Sequence, residues 1–213
     1  MESLRIVAHL RNGYAAEDPW SPSIDGIIAY WLLREQLGDE MDLVPRDQMR
    51  AVEGLPLGVS RAGALWWYDC SSPIVDEAGR HIRHFHRRFD SALAEPFLAP
   101  RKARINVQAG PTKQARLTTQ TIICNKITWM AIGDGDEVAR LLRRCSHVGR
   151  RRAAGNGRVV RWEVTADGDP DAAKIYRPLP VEACDDDTRS VLEWGFRPPA
   201  YIRENQTLCR MPA

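Results

Sequence analysis

Residues 147–164, HVGRRRAAGNGRVVRWEV, join an arginine cluster to a glycine-rich turn and then to a strand. The apolar side chains of Val160, Trp162 and Val164 alternate with polar ones, which predicts a strand that buries one face. Upstream, Asp134 and Glu137 form a capping-box-like pair at the start of a predicted helix. The apolar stripe of that helix repeats at helical spacing: Val138, Leu141, Leu142 and Cys145. The sequence therefore predicts a helix, a glycine-rich loop and a strand in succession.

The segments before this unit predict further strands and one more helix. Residues 4–10, LRIVAHL, are rich in strand-forming side chains. A helix follows, capped by Ser21 or Ser23 and ended by Gly38. Its apolar face repeats at positions i, i+3, i+4, i+7 and i+8: Ile24, Ile27, Ile28, Trp31 and Leu32. Strand-type residues then fill four segments: 64–70, 80–90, 104–110 and 115–132.

This order of elements predicts the fold class. It corresponds to β-α-β-β-α-β with insertions, which is the α+β, ferredoxin-like (RRM-like, split βαβ) arrangement. We expect this domain to occupy residues 1–165, with a β-rich insertion of hairpins around 60–125. Residues 166–213 are acidic and punctuated by proline, and they predict an irregular C-terminal extension packed on the domain. The open face of such a sheet is a familiar platform for single-stranded RNA.

The composition is that of an ordinary globular protein, since 44% of the 213 residues are apolar and 27% are charged. No apolar run approaches the length of a membrane span, and the N-terminus lacks the apolar core of a signal peptide. The five cysteines are scattered without CxxC pairs, and their odd number leaves at least one unpaired. We expect a cytoplasmic, reducing location, no zinc site, no cofactor and no membrane partner.

Charge is segregated along the chain although the net charge is only +2. Residues 80–116 carry 9 basic and 2 acidic side chains, and residues 140–162 carry 8 basic and none acidic. The flanking segments are acidic, with 6 basic and 13 acidic side chains in residues 1–79 and 3 and 9 in residues 163–195. Two basic blocks favour a polyanionic partner, and the alternative is that the arginines only solvate two exposed faces.

Several phosphate-binding loops can be compared with residues 147–158. A Walker loop needs GK[ST], which is absent, and a dinucleotide fingerprint needs a strand before the glycines and a helix after them. A nuclear localisation signal would leave the glycines unexplained. A backbone that approaches a sugar-phosphate chain at Gly149, Gly155 and Gly157, with arginine forks on the phosphates, fits better. A tight turn with incidental charge is the other interpretation.

A second basic segment, RHIRHFHRRFD at residues 80–90, places aromatic rings between basic side chains. Arginine, histidine and phenylalanine on one surface suit phosphate contact and stacking on splayed bases. The alternatives are a solvated edge strand and a metal site, for which no nearby carboxylate or cysteine completes the ligands. The candidate RNA contacts here are Arg83, His84, His86, Arg87 and Arg88.

Two further places carry candidate contacts. The polar segment 104–121 contains Lys113 and Arg116, which suit RNA or a neighbouring subunit, or else belong to a surface hairpin. Trp20 lies just before the first helix, where it either stacks on a base or fills the core.

Three segments together carry a family resemblance: GYAAEDPWSPSIDGIIAYWLLRE (13–35), WWYDCSSP (66–73) and VGRRRAAGNGRVVRWEV (148–164). A glycine-rich, arginine-studded loop between the second helix and the final strand resembles the signature of the RAMP superfamily of CRISPR-associated proteins. In this order the segments resemble the Cas-five-like subunit of type IV CRISPR effectors, also called Csf-three. The resemblance covers most of residues 1–165 and weakens in the acidic tail.

The resemblance implies a non-catalytic RNA-binding subunit of a ribonucleoprotein that defends against viruses and plasmids. Such a subunit holds and caps the 5′ handle of the CRISPR guide RNA (crRNA) and contacts the backbone filament subunit and the large subunit. Target DNA near the PAM is a further candidate partner. On this chain the implied handle contacts are the loop residues Gly149, Arg150, Arg151, Arg152, Gly155, Asn156, Gly157 and Arg158.

The alternative function is a metal-independent endoribonuclease that processes CRISPR RNA, as some relatives in the RAMP superfamily do. Such chemistry needs a general base for the 2′-hydroxyl and an acid or cation for the leaving group. His84 or His86 with Lys126 could be assigned these roles, but no spacing in the sequence enforces their geometry. A stand-alone RRM protein would show aromatic RNP patterns on its central strands, and these are absent.

Overall fold

The computed structural model describes residues 1–94, 97, 106–110 and 112–212. Within these residues the strands are β1 (Glu2–Leu10), β2 (Tyr14–Ala15), β3 (Val59–Ala62), β4 (Leu65–Tyr68), β5 (Ile74–Val75), β6 (Gly79–Arg87), β7 (Ala115–Ile123), β8 (Lys126–Gly133), β9 (Val159–Thr165), β10 (Leu179–Pro180), β11 (Val191–Gly195) and β12 (Gln206–Arg210). The α-helices are α1 (Ile24–Leu37), α2 (Ser91–Ala94), α3 (Gly135–Leu142) and α4 (Pro170–Ile175). Short 3₁₀ turns cover Gly38–Leu43, Arg46–Gln48, Arg152–Ala154, Val181–Ala183 and Arg203–Asn205. The predicted α+β class is confirmed.

The main sheet has four strands in the order β5-β8-β1-β9, and each neighbouring pair is antiparallel. Along the chain, α1 lies between β1 and β5, and α3 lies between β8 and β9. Apolar side chains of β1 and β8 alternate toward one face, where they meet the buried stripes of both helices. The largest of these core side chains is Trp129, whose indole N–H donates to the Pro22 carbonyl at 3.0 Å.

The two helices confirm most of the predicted signals. Asp134 caps α3 by accepting from the Glu137 backbone N–H at 3.1 Å, and Gly38 ends α1. At the start of α1 the capping position is Ser23, but its side chain makes no capping hydrogen bond. Glu35 of α1 accepts from the guanidinium of Arg140 on α3 at 2.8 Å, which ties the two helices together at the surface.

A β-bulge changes the face predicted for β9. His9 opposes Arg161 and Leu10 opposes Val159, so Val160 has no partner on β1. The extra residue shifts the alternation, and Val159 joins Trp162 and Val164 against the core. Val160 is instead 67% exposed. The prediction that Val160 shares the buried face is therefore wrong, since alternation along the sequence does not reveal a bulge.

A second sheet, in the order β2-β7-β6, is built from the hairpin of β6 and β7. β2 pairs with the end of β7 at Tyr14 and Ala15. Of the strand predicted at 104–110, residues 104–105 lie outside the described residues, and residues 106–110 form bends rather than a strand.

The C-terminal region contains a small sheet in the order β10-β12-β11, whereas the sequence predicted an irregular extension. Its strands are short and are separated by proline-containing segments, which is why composition alone pointed to loops. A second apolar cluster lies beneath it, formed by Trp67, Leu179, Phe196, Cys209 and Met211. A buried ion pair of Arg177 with Asp25, Nη2 to Oδ2 at 3.4 Å, connects this region to α1.

Among the helices that the structure describes, none is long and apolar enough to cross a bilayer.

Candidate nucleic-acid interface

The glycine-rich loop is a closed turn standing on a hydrogen-bonded neck. The backbone N–H of Val148 donates to the Gly157 carbonyl at 2.8 Å, and that of Val159 donates to the Ser146 carbonyl at 2.9 Å. Segment 11–15 supports the neck from the side, because Gly157 donates to Gly13 at 3.0 Å. The loop therefore has a fixed base, and its tip, residues 150–155, is exposed.

The three loop glycines serve different purposes. A Cβ on Gly157 would lie 1.8 Å from the Val148 carbonyl oxygen, and a Cβ on Gly149 would lie 2.6 Å from the Ala15 carbonyl oxygen. These two glycines allow close contact between protein backbones. Gly155 has a φ of +82°, and nothing lies within 4 Å of the position of its Cβ. Of the three, Gly155 alone presents a bare backbone to open space.

Two neighbouring residues fix the conformation of the tip. Asn156 is only 5% exposed, and its side-chain amide donates to the Arg151 carbonyl at 3.3 Å. Arg151 has a φ of +53°, in the left-handed region that non-glycine residues rarely adopt. Asn156, predicted as an RNA contact, thus braces the loop from inside.

The three arginines of the tip each contact a different neighbour. Arg150 forms an ion pair with Glu17. Arg151 lies over the ring of Phe85 at 5.7 Å, and Arg152 lies over the ring of Tyr30 at 5.6 Å. A guanidinium that packs on an aromatic face keeps its N–H groups available for phosphate oxygens. Arg158 is exposed as well, while its backbone carbonyl accepts from Arg11 at 3.0 Å.

The β6–β7 hairpin lies beside this tip and presents two basic faces. Arg83 opposes Thr119 and Phe85 opposes Leu117, and opposed residues share a face of the sheet. Arg83 and Arg87 therefore share the face of Phe85, over which Arg151 lies. The other face carries His84, His86 and Arg116, with His84 Nδ1 3.3 Å from the Thr118 hydroxyl.

The remaining predicted contacts are placed less centrally. Arg88 is exposed just beyond the end of β6, and Lys113 is exposed just before β7, where its carbonyl accepts from Arg87 at 2.8 Å.

Trp20 is half-buried against the C-terminal region, where its ring meets that of Trp194 edge-on at 5.4 Å. Its indole N–H donates to the Pro212 carbonyl at 3.4 Å. Trp20 therefore packs against the C-terminal region, and its contact with RNA stays a prediction.

Sequence reasoning missed Glu17 and Tyr30, which contact Arg150 and Arg152. Tyr30 lies on α1 at a position off the apolar stripe, which is a weak signal for a surface role. Glu17 gives no such signal, because an acid in a turn is usually solvated.

Two ionisable groups near the interface have shifted pKa values. Pairing with Arg80 lowers the pKa of Glu77 at the start of the hairpin. Burial raises the pKa of the Tyr14 hydroxyl, whose ring lies beneath Gly149. Among the described residues, no group of three histidine, cysteine or acidic side chains is arranged to hold a metal ion.

Grooves of different sizes run from the loop. A small one of about 210 Å³ separates Arg150 and Arg151 from Thr118, Thr119 and Gln120 of β7. A larger one of about 820 Å³ extends from Gly149 and Arg150 to Trp194 and Tyr201 in the C-terminal region. Both grooves are lined by Glu17 and Arg150, so they adjoin each other at the loop tip.

The family model described as CRISPR type IV associated protein Csf3 matches residues 2–212. The match includes the loop, the hairpin and the C-terminal sheet. No curated protein matches the chain.

Proposed function

The chain belongs to the Csf3 family of type IV CRISPR associated proteins, and we propose that it is the RNA-binding, non-catalytic subunit that holds the 5′ handle of the guide RNA. The observation that carries this proposal is the exposed arginine tip on a braced neck. Three guanidinium groups extend from one exposed tip, Arg151 lies against the basic hairpin, and the Gly155 backbone is open to a close approach. Fixed donors favour phosphate binding because little conformational entropy is lost when the anion arrives.

We infer that the main sheet is the ferredoxin-like core of a RAMP domain. Its four strands follow the β-α-β-β-α-β order, with the first strand next to the third and the fourth at the edge. The loop leaves this core between α3 and the last strand, which is where the resemblance expects it. The domain boundary after residue 165 stays a prediction.

The proposal extends to partners in the assembled particle. The acidic segment 163–195 and the acidic first third of the chain suit basic surfaces of the backbone and large subunits. Target DNA near the PAM would contact both the large subunit and this chain. We expect the assembled particle to be cytoplasmic.

The first test measures RNA affinity against salt. Neutralising roughly four to six phosphates of a single strand gives a slope of log affinity against log salt of about −3 to −4. Replacing Arg150, Arg151 and Arg152 by alanine should reduce the steepness by about 2. The matched control replaces the exposed arginines Arg50, Arg61 and Arg203, which removes equal charge elsewhere. Unchanged affinity and slope in the loop variant would refute the loop assignment.

The second test separates holding from cutting. Purified protein is incubated with labelled repeat RNA in the presence of a chelator, and the RNA is expected to stay intact. Specific cleavage that disappears in His84→Ala or His86→Ala would establish the endoribonuclease instead.

A further inference from the structure

Two arginines of the loop tip lie against two different elements. Arg151 packs over the ring of Phe85 on the β6–β7 hairpin, whereas Arg152 packs over the ring of Tyr30 on α1. Both arginines are exposed, and within the described part of the chain neither forms an ion pair with a carboxylate. The tip therefore offers one open cationic group toward the hairpin and another toward α1.

A third arginine continues this row beyond the loop. Arg144, which follows the end of α3, lies over the ring of Trp31 at 5.5 Å. The rings of Tyr30 and Trp31 meet edge-on, with their centroids 5.2 Å apart. Arg151, Arg152 and Arg144 thus each pack on an aromatic ring, which holds a guanidinium in place while its N–H groups stay available for phosphate oxygens.

One carboxylate lies close to Arg144. Glu35 Oε1 is 3.4 Å from Arg144 Nη1, but the two oxygens of Glu35 also accept from Arg140 at 2.8 Å each. Because a short bidentate pair is the stronger contact, Arg140 rather than Arg144 is the main partner of Glu35. The side chain of Arg144 is 44% exposed, so a further anion can reach it.

The grooves beside the loop differ in charge. The larger one carries three acids in its lining: Glu17, Asp18 and Glu193. A third groove, of about 280 Å³, lies between the loop and α1, and we call it the α1-side groove. Its lining includes Tyr30, Trp31, His147 and Arg152, and none of the described residues that line it is acidic. A polyanion is therefore favoured in the α1-side groove and disfavoured in the larger one.

We propose that the RNA strand crosses the loop tip from the β6–β7 hairpin into the α1-side groove, where Arg144 holds a further phosphate, an inference that rests on the proposed function. The strand passes from Arg151 to Arg152 and then along the rings of α1. Trp31 forms part of the groove wall, which places Arg144 at the rim of the groove. The larger groove toward the C-terminal sheet stays outside the path of the RNA.

Affinity measured against salt tests the contact at Arg144. The probe is the 5′ repeat-derived RNA of the locus that encodes this chain, titrated by fluorescence anisotropy. Arg144→Ala should weaken binding about three- to tenfold and reduce the steepness of log affinity against log salt by about 0.7, the value for one phosphate of a single strand. Arg61→Ala removes an equal charge from β3 and should change neither quantity appreciably.

Arg144→Lys separates the charge from the packing. Lysine keeps the positive charge for a phosphate but lacks the flat guanidinium that packs on Trp31. The salt slope should return to that of the parent chain, and the affinity should recover in part. Urea unfolding of both Arg144 variants establishes that each is folded under the binding conditions. A slope that stays reduced in Arg144→Lys would contradict a phosphate contact at this position.

The larger groove is the competing path. Glu193 is exposed within it, and Glu193→Gln should raise RNA affinity no more than Glu40→Gln, which controls for net charge. A larger gain for Glu193→Gln, or unchanged affinity and slope in Arg144→Ala, would overturn the α1-side path. In either case a reduced slope in the triple variant of Arg150, Arg151 and Arg152 would leave the proposed function intact. No effect in the triple variant and none in Arg144→Ala would overturn both.

Discussion

Glu17 and Arg150 form an ion pair across the root of the glycine-rich loop, the acid in the turn after β2 and the arginine at the tip. Both side chains are largely exposed, at 57% for Arg150 and 70% for Glu17. An exposed pair of this kind contributes little to stability. The Glu17 carboxylate does, however, occupy the Arg150 guanidinium, to which we expect an RNA phosphate to bind.

Replacing Glu17 by glutamine should therefore tighten RNA binding. In the parent chain an RNA phosphate must displace the Glu17 carboxylate from Arg150, and in the variant it does not. We therefore expect RNA affinity to rise roughly two- to fivefold at low salt. Anisotropy titrations would measure it. Glu40→Gln, which removes an exposed acid from the turn after α1, is the control for net charge. Equal gains in both variants would mean that only the overall charge matters.

The two glycines near the end of the loop should differ in their tolerance of a side chain. Gly157→Ala places a Cβ against the Val148 carbonyl at a φ of +67°, and we expect it to lower the free energy of unfolding by about 3 kcal/mol. Gly155→Ala meets open space and should lose only about 1 kcal/mol, the cost of a left-handed alanine. Urea unfolding of both variants decides this, and similar losses would contradict the packing around Gly157.

The ion pairs between α1 and α3 should make a contribution to stability that depends on pH. Hydrogen bonding to Arg140 lowers the pKa of Glu35 and of Glu137 below the ordinary value of 4.5. A carboxylate with a lowered pKa in the folded state stabilises the protein above its ordinary pKa, and this contribution is lost as pH falls through the folded value.

Glu35→Gln should accordingly be less stable than the parent chain at pH 7, and the difference should shrink below about pH 4.5. Thermal unfolding measured across this range would test it. Glu40→Gln provides the comparison, because this acid has no ion pair in the described structure. A difference for Glu35→Gln that is constant with pH would show that the pairing contributes nothing.

The five cysteines should react unequally. All are free, and Cys184 alone is not fully buried. Burial raises the pKa of Cys124 to about 11 and that of Cys209 to about 12, so few of these thiols are ionised near neutrality. A thiol reagent should modify one group rapidly in the folded chain and the rest only on unfolding. Cys184→Ser should remove the rapid phase, and its persistence would contradict the burial of the others.

The sequence predicted what local patterns control. The apolar repeat from Ile24 and the Asp134 cap gave both main helices, and the arginines and glycines of residues 149–158 gave an exposed loop tip. These features depend on residues that are near one another in the chain. Contacts of loop side chains with Phe85 and Tyr30 depend on tertiary packing, so no spacing in the sequence revealed them.

The missed features depend on distant partners. The buried pair of Asp25 and Arg177 joins residues 152 positions apart, and Asp25 alone is indistinguishable from an ordinary acid in the first turn of a helix. The bulge at Val160 depends on its register with β1, and the short strands of the C-terminal sheet depend on one another. Composition could not supply this information.

The lateral hydrogen bonds of the loop neck have a mechanical consequence. Arg11, Gly13 and Ala15 bond backbone to backbone with Arg158, Gly157 and Arg150, so the segment directly after β1 is fastened to both sides of the loop. Tension on a strand gripped at the tip would pass through several such bonds into the central strand of the main sheet. A force that would separate the two strands of an unsupported hairpin is thus distributed to β1, which lies inside the main sheet.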